Sequence, residues 1–161
     1  MAEAATGTEQ AREGREARTG KKARVRPPQT FRHSKPAGQD GGKAIVRLAQ
    51  SDLIRGAVQV VKVGDGDNNT HIHTGMDGFW MVLKGRVKFY GPDDAVIGEF
   101  GPHEGILMPH GNAYWFAAVG DEDLEILQVA AFDREVKNER IDINPQKLQV
   151  DTVKYYDGRV S

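Results

Sequence analysis

Cysteine is absent from the 161-residue chain. Disulfides and thiolate metal sites are therefore excluded, and any transition metal has to be held by imidazole or oxygen donors. Long apolar runs are absent too, none approaching the roughly 20 residues that a membrane helix needs. The opening MAEAATGTEQ has no apolar stretch of the kind that forms a signal-peptide core. A cytoplasmic protein that does not enter a membrane is expected. Also missing is an amphipathic helical repeat, which turns attention to strands.

The net charge is only −1, but the two signs are unevenly placed. Residues 1–42 carry nine Lys/Arg and five Asp/Glu, whereas the rest carries thirteen and eighteen. Up to Gly42 the chain is rich in Ala, Gly, Thr, Glu and Arg, contains Pro27-Pro28 and has almost no large apolar residue. Such a segment buries too little surface to offset the entropy of ordering it. Residues 1–40 are read as a disordered basic tail and residues 41–161 as one domain, in keeping with the roughly 100–150 residues of a typical domain. The basic stretch RTGKKARVRP (18–27) has the charge to touch nucleic acid or an acidic partner, but a solvated tail accounts for it equally simply, and no nucleic-acid partner is expected. Phe31 to Pro36 is where an ordered arm would begin. An arm strand pairing with a second subunit would cover an exposed sheet edge, and a homodimer is expected on that basis.

From Lys43 onward the pattern changes to short apolar or alternating runs: AIVRL (44–48), AVQVVKV (57–63), THIHT (70–74), FWMVL (79–83), RVKFY (86–90), AVIGEF (95–100), GILMP (105–109), AYWFAAV (113–119) and LEILQVAAF (124–132). Between them lie GDGDNN, KG, GPDD, GPHEG, HGN and GDED, whose Gly, Asn, Asp and Pro residues make turns. Nine short strands predict an all-β fold, an antiparallel barrel or jelly roll. Small barrels close around packed side chains or one small ligand, with inward positions alternating along each strand. The last segment, from Arg134 onward, is polar and is read as a short helix or a capping or swapping strand.

His71-x-His73, an apolar strand and Gly85, followed by Pro109-x-Gly111 and an aromatic strand, resemble the two sequence motifs of the cupin superfamily over about residues 57–132. In that family the first motif supplies two His and a Glu, and the second supplies a further His, to a metal inside the barrel. Here Gly78 stands at the Glu position, beside Asp77, and Tyr114 stands at the position of the last His, while His103 replaces the leading Gly of the second motif. The resemblance implies an RmlC-like cupin barrel with a degenerate site. It implies one divalent first-row transition metal (Fe, Mn, Ni, Cu or Zn) held by His71, His73 and Tyr114, with the same three residues carrying any catalysis.

The residues themselves leave two readings open. His71 and His73, two apart on a strand, share a face and can present nitrogens to one ion; they can equally be hydrogen-bonding groups of a pocket. Tyr114 would bind a metal only as phenolate, against a reference pKa of about 10, or else serve as an aromatic wall. By strand parity with Gly78 and Tyr114, Trp80 and Phe116 face inward as ligand-contacting or core residues, and Gln128 either points into the cavity or covers an edge. His103, Glu104 and His110 fall in turns, and GDGDNN is a turn before the histidine strand. A metal-dependent enzyme acting on a small organic, anionic substrate follows, with oxygenase, lyase and isomerase chemistry all open. The alternative is a non-catalytic small-molecule-binding or sensory cupin.

Overall fold

In the computed structural model, which describes residues 25–143 and 153–160, all nine of the expected strands form. The larger sheet has the order β12 (Val153–Asp157), β2 (Lys43–Gln50), β3 (Ile54–Val61), β10 (Leu124–Phe132), β5 (Met76–Lys84) and β8 (Gly105–Met108). Opposite it lie β7 (Val96–Phe100), β6 (Arg86–Tyr90) and β9 (Trp115–Val119). A pair of backbone hydrogen bonds between His71 and Tyr114, each 3.1 Å, carries this second sheet on to β4 (His71–His73) and its partner β11 (Arg140–Asp142). Among the described residues, no helix is long and apolar enough to cross a membrane.

Period-two alternation decides which side chains meet between the sheets. On β5 the residues Met76, Trp80 and Val82 are buried while Phe79 is 49% exposed. Trp80 and Val82 join Val61, Leu124 and Ile126 from the same sheet and Val87, Phe89, Phe116 and Ala118 from the other in one apolar core. Trp80, Phe89, Phe116 and Tyr114 meet edge-on, tilted or stacked at centroid distances of 5.1–6.4 Å, which adds quadrupole attraction to the burial. The outer face of the larger sheet is apolar too, with Val46, Leu48 and Val58 packed against Leu83, Leu127 and Tyr156.

Two features refine the sequence reading. Of the expected tail, residues 1–24 lie outside the described residues, but residues 25–40 run along the barrel, so the boundary at residue 40 moves toward the N-terminus. Polar contacts that composition does not reveal hold this arm. Gln29 donates to the Gln50 carbonyl at 2.8 Å and accepts from the Gln50 N–H at 3.1 Å, and Lys35 pairs with Asp123 at 2.7 Å. His33 Nε2 lies 2.5 Å from Glu125. Thr30–Phe31 forms β1 and pairs with β13 (Arg159–Val160) of the same chain. The second is the C-terminal segment, where the strand alternative holds: β12 pairs in parallel with β2 and β11 pairs with β4.

The β5–β6 turn depends on Gly85, whose φ of +77° lies in the left-handed region. A Cβ there would also meet the Asp123 carbonyl oxygen at 2.7 Å. Gly85→Ala is accordingly expected to destabilise the protein by about 2 kcal/mol or more, from combined backbone strain and overpacking. A thermal melt indistinguishable from wild type would contradict this.

Candidate ligand-binding site

Beside the aromatic core lies a cavity of about 380 Å³. His71, His73, Tyr114, Trp80 and Gln128, all singled out from sequence, line it together. Phe116 does not: it is wholly buried behind the cavity wall, with the Lys43 ammonium 5.0 Å above its ring. Parity points Phe116 inward correctly, but the inside of the barrel is divided into a packed part and a hollow part, and alternation does not say which. Gln128 is not at an edge, because β10 has β3 on one side and β5 on the other. Its Oε1 accepts from Gln59 Nε2 at 3.0 Å. Asp77 turns to the outer side, where its Oδ1 accepts from the His110 backbone N–H at 2.9 Å and lies 2.7 Å from that imidazole.

The cross-strand pairing of His71 with Tyr114 puts their rings 4.6 Å apart, and His73 sits edge-on to His71 at 5.0 Å. His71 Nδ1 lies 2.6 Å from the Asn69 carbonyl oxygen. A carbonyl only accepts, so Nδ1 carries the proton and Nε2 keeps its lone pair for the cavity. Burial, then the charge of Arg140, pushes the His71 pKa down to about 3, so the ring is neutral at physiological pH. His73 is lowered by burial and then by Arg140 and Arg55, and its buried Nδ1 has no hydrogen-bond partner among the described residues. Burial pushes the Tyr114 hydroxyl up to about 12 and keeps it a neutral donor.

The remaining wall was not foreseen from sequence. Lys43, Arg55, Gln59, Asn68, Asn69, Arg140 and Asp142 all line the cavity. On β3 the residues Arg55 and Gln59 share a face, an alternation visible in IRGAVQVV but hidden by the apolar outer face of that sheet. Strand β11 sets Arg140 opposite His73 and Asp142 opposite His71. Lys43 is only 4% exposed and its Nζ donates to Asn68 Oδ1. Burial first, then Arg140, takes its pKa down to about 7, with Asp67 acting in the opposite direction.

No protein-family model matches the sequence, and no curated protein matches it. Solved structures do match. An uncharacterized conserved protein with a double-stranded beta-helix domain from Klebsiella pneumoniae is 14% identical, with a TM-score of 0.57 over 68% of this chain and 86% of that one. A cupin-like protein from Thermotoga maritima is 15% identical, with a TM-score of 0.52 over 61% of this chain and 74% of that one. This chain has the cupin fold. The polyketide cyclase RemF from Streptomyces resistomycificus has the same cupin architecture, at 20% identity and a TM-score of 0.54 over 66% of this chain and 74% of that one.

The metal that the cupin resemblance implies does not fit the residues present. At the motif's Glu position a Cβ on Gly78 would lie 2.9 Å from Trp80 Nε1, so the indole occupies the space a carboxylate side chain would need. Among the described residues, no group of three or more His, Asp or Glu side chains is placed to hold an ion. What remains is two neutral imidazoles and a phenol held neutral by burial, set in the field of Arg55 and Arg140. The one carboxylate of the cavity wall, Asp142, accepts from Arg140 Nε at 3.0 Å. Positive charge of that density disfavours a divalent cation. His71, His73 and Tyr114 stand together in the cavity wall as three neutral polar groups.

The buried lysine makes a stability signature. A lysine with a folded pKa near 7 and the usual value of 10.5 when unfolded is destabilising in full below about pH 7. The penalty fades as pH rises toward 10.5, because the unfolded chain then loses the proton as well. Lys43→Met is therefore expected to raise the melting temperature at pH 7, by on the order of a few kcal/mol in stability, with the gain shrinking between pH 8 and pH 10. Equal gain at all pH values would mean that Lys43 titrates normally.

Proposed function

We propose that this cupin binds a small organic anion in the barrel without a metal. The observation that carries the reading is the charge of the cavity wall: the guanidiniums of Arg55 and Arg140 against Asp142, the one carboxylate that lines the cavity among the described residues, which Arg140 already engages. A guanidinium presents a planar fork of donors that matches a carboxylate or phosphate oxygen pair. The neutral His71 offers one acceptor nitrogen, Tyr114 offers a hydroxyl donor, and Trp80 and Tyr155 supply apolar surface for a carbon skeleton. The cavity volume suits a compact molecule and not a polymer. RemF, a polyketide cyclase, shows that the same barrel serves catalysis in another protein, so binding here is compatible with turnover.

Isothermal titration of the untagged protein with acetate, propionate, benzoate, malonate and inorganic phosphate tests this. At least one is expected to bind once per chain, more weakly as sodium chloride is raised. Arg140→Gln is expected to weaken that binding about tenfold or more, the loss of one charge-assisted contact. The reading fails if none of these anions binds. It also fails if the protein purifies with stoichiometric metal that His71→Ala removes.

A further inference from the structure

Lys43 opens β2 with its side chain inside the barrel, 4% exposed, where lysine is rarely found without a chemical role. Its amine is oriented on two sides: Nζ donates to Asn68 Oδ1, and the ammonium lies 5.0 Å from the centroid of Phe116, which closes the space beneath it. The open direction is the cavity, which also holds His71 Nε2 with its free lone pair and the Tyr114 hydroxyl with its proton. Arg140 is the charge these groups share, since its field acts on Lys43, His71, His73 and Tyr114 alike. An anion seated on Arg140 shares the cavity with the lysine.

We propose that Lys43 is a nucleophile that condenses with the carbonyl carbon of a bound 2-oxo carboxylate to give an imine. The inference rests on the anion-binding reading above and names its substrate class. A 2-oxo acid places its electrophilic carbon one bond from the carboxylate held by Arg140. The Nζ lone pair forms the N–C bond as the C=O π pair moves to oxygen. Tyr114 donates its proton to that oxygen, His71 Nε2 accepts the proton released from nitrogen, and the two exchange it to restore the starting state. A second transfer in the same sense, with His71 taking the remaining nitrogen proton and Tyr114 protonating the carbinol hydroxyl, lets that oxygen leave as water and leaves the C=N bond, with both side chains restored by the same exchange and nothing oxidised or reduced. Burial supplies the neutral amine this step requires, because the lysine pKa falls to about 7.

The test is reductive trapping on the full chain. Pyruvate is added with sodium cyanoborohydride at pH 7, and the adduct is located by intact mass and peptide mapping. A single adduct at Lys43 is expected, formed about a hundredfold faster than at exposed lysines, since its neutral fraction is about a thousandfold greater and lower basicity returns part of that gain. The rate is expected to level off above about pH 7, where the amine is deprotonated. Lys43→Met, expected to fold, removes the adduct, and Arg140→Gln slows it. Adducts spread evenly over surface lysines, or undiminished in Lys43→Met, overturn the proposal. Titration with propionate, which has the carboxylate but no carbonyl, separates the two levels. If propionate binds and pyruvate is not trapped, only the imine is lost; if neither happens, the anion site is lost with it.

Discussion

The backbone pair between His71 and Tyr114 sets the geometry on which the site depends. Cross-strand partners share a face, so two 3.1 Å hydrogen bonds are enough to lay the imidazole against the phenol. His73 follows two residues on, its ring edge-on to that of His71. Behind this strand β11 adds its own register, which brings Arg140 and Asp142 opposite the two histidines. One stretch of ladder thus fixes the neutral acceptor, the hydroxyl donor and the principal positive charge together. The aromatic core of Trp80, Phe89 and Phe116 holds that ladder at a constant distance from the larger sheet.

Much of this was legible because strands have a period of two. Turn residues separated the nine strands, LEILQVAAF and RVKFY to the residue, and parity placed Trp80, Phe116 and Tyr114 inward. What alternation does not carry is the difference between a packed and a hollow interior, which is why Phe116 was grouped with Trp80. Nor does it reveal polar residues on a strand whose outer face is also apolar. On β2 the hydrophobic residues Val46 and Leu48 face away from the cavity, and the run AIVRL begins one residue after Lys43, which is left outside the expected strand. Arg140 lies in a polar segment with no periodicity at all, and only pairing with a strand nearly seventy residues earlier brings it to the site. The arm before residue 40 escaped for a related reason: specific polar contacts hold it, where composition registers only its lack of apolar residues.

The replacement of the motif Glu by Gly78 is tied to Trp80 two residues later. An indole and a carboxylate side chain compete for one volume, and here the indole has it. Removing a buried negative charge would by itself leave the cavity neutral or positive. Arg55, Arg140 and Lys43 carry that change further in the same direction, so the loss of metal donors and the gain of cations describe a single shift in ligand preference. The cupin barrel tolerates it because the aromatic core, and not the site, bears the packing.

Strand β12 contributes Val153 and Tyr155 to the cavity wall and joins the sheet in parallel beside Lys43. Close by, Thr30 bonds to the Val160 carbonyl across 130 residues. These are the contacts of longest sequence separation described in the barrel, and closing such loops is entropically costly and slow. During synthesis the antiparallel strands β2 to β10 can pair before β12 has left the ribosome. The lysine at the head of β2 would then have Asn68 and Phe116 beside it but neither β12 nor the charge of Arg140. The properties that make this cavity unusual are in that sense the last to arrive, and a folding intermediate with a complete aromatic core would still lack them.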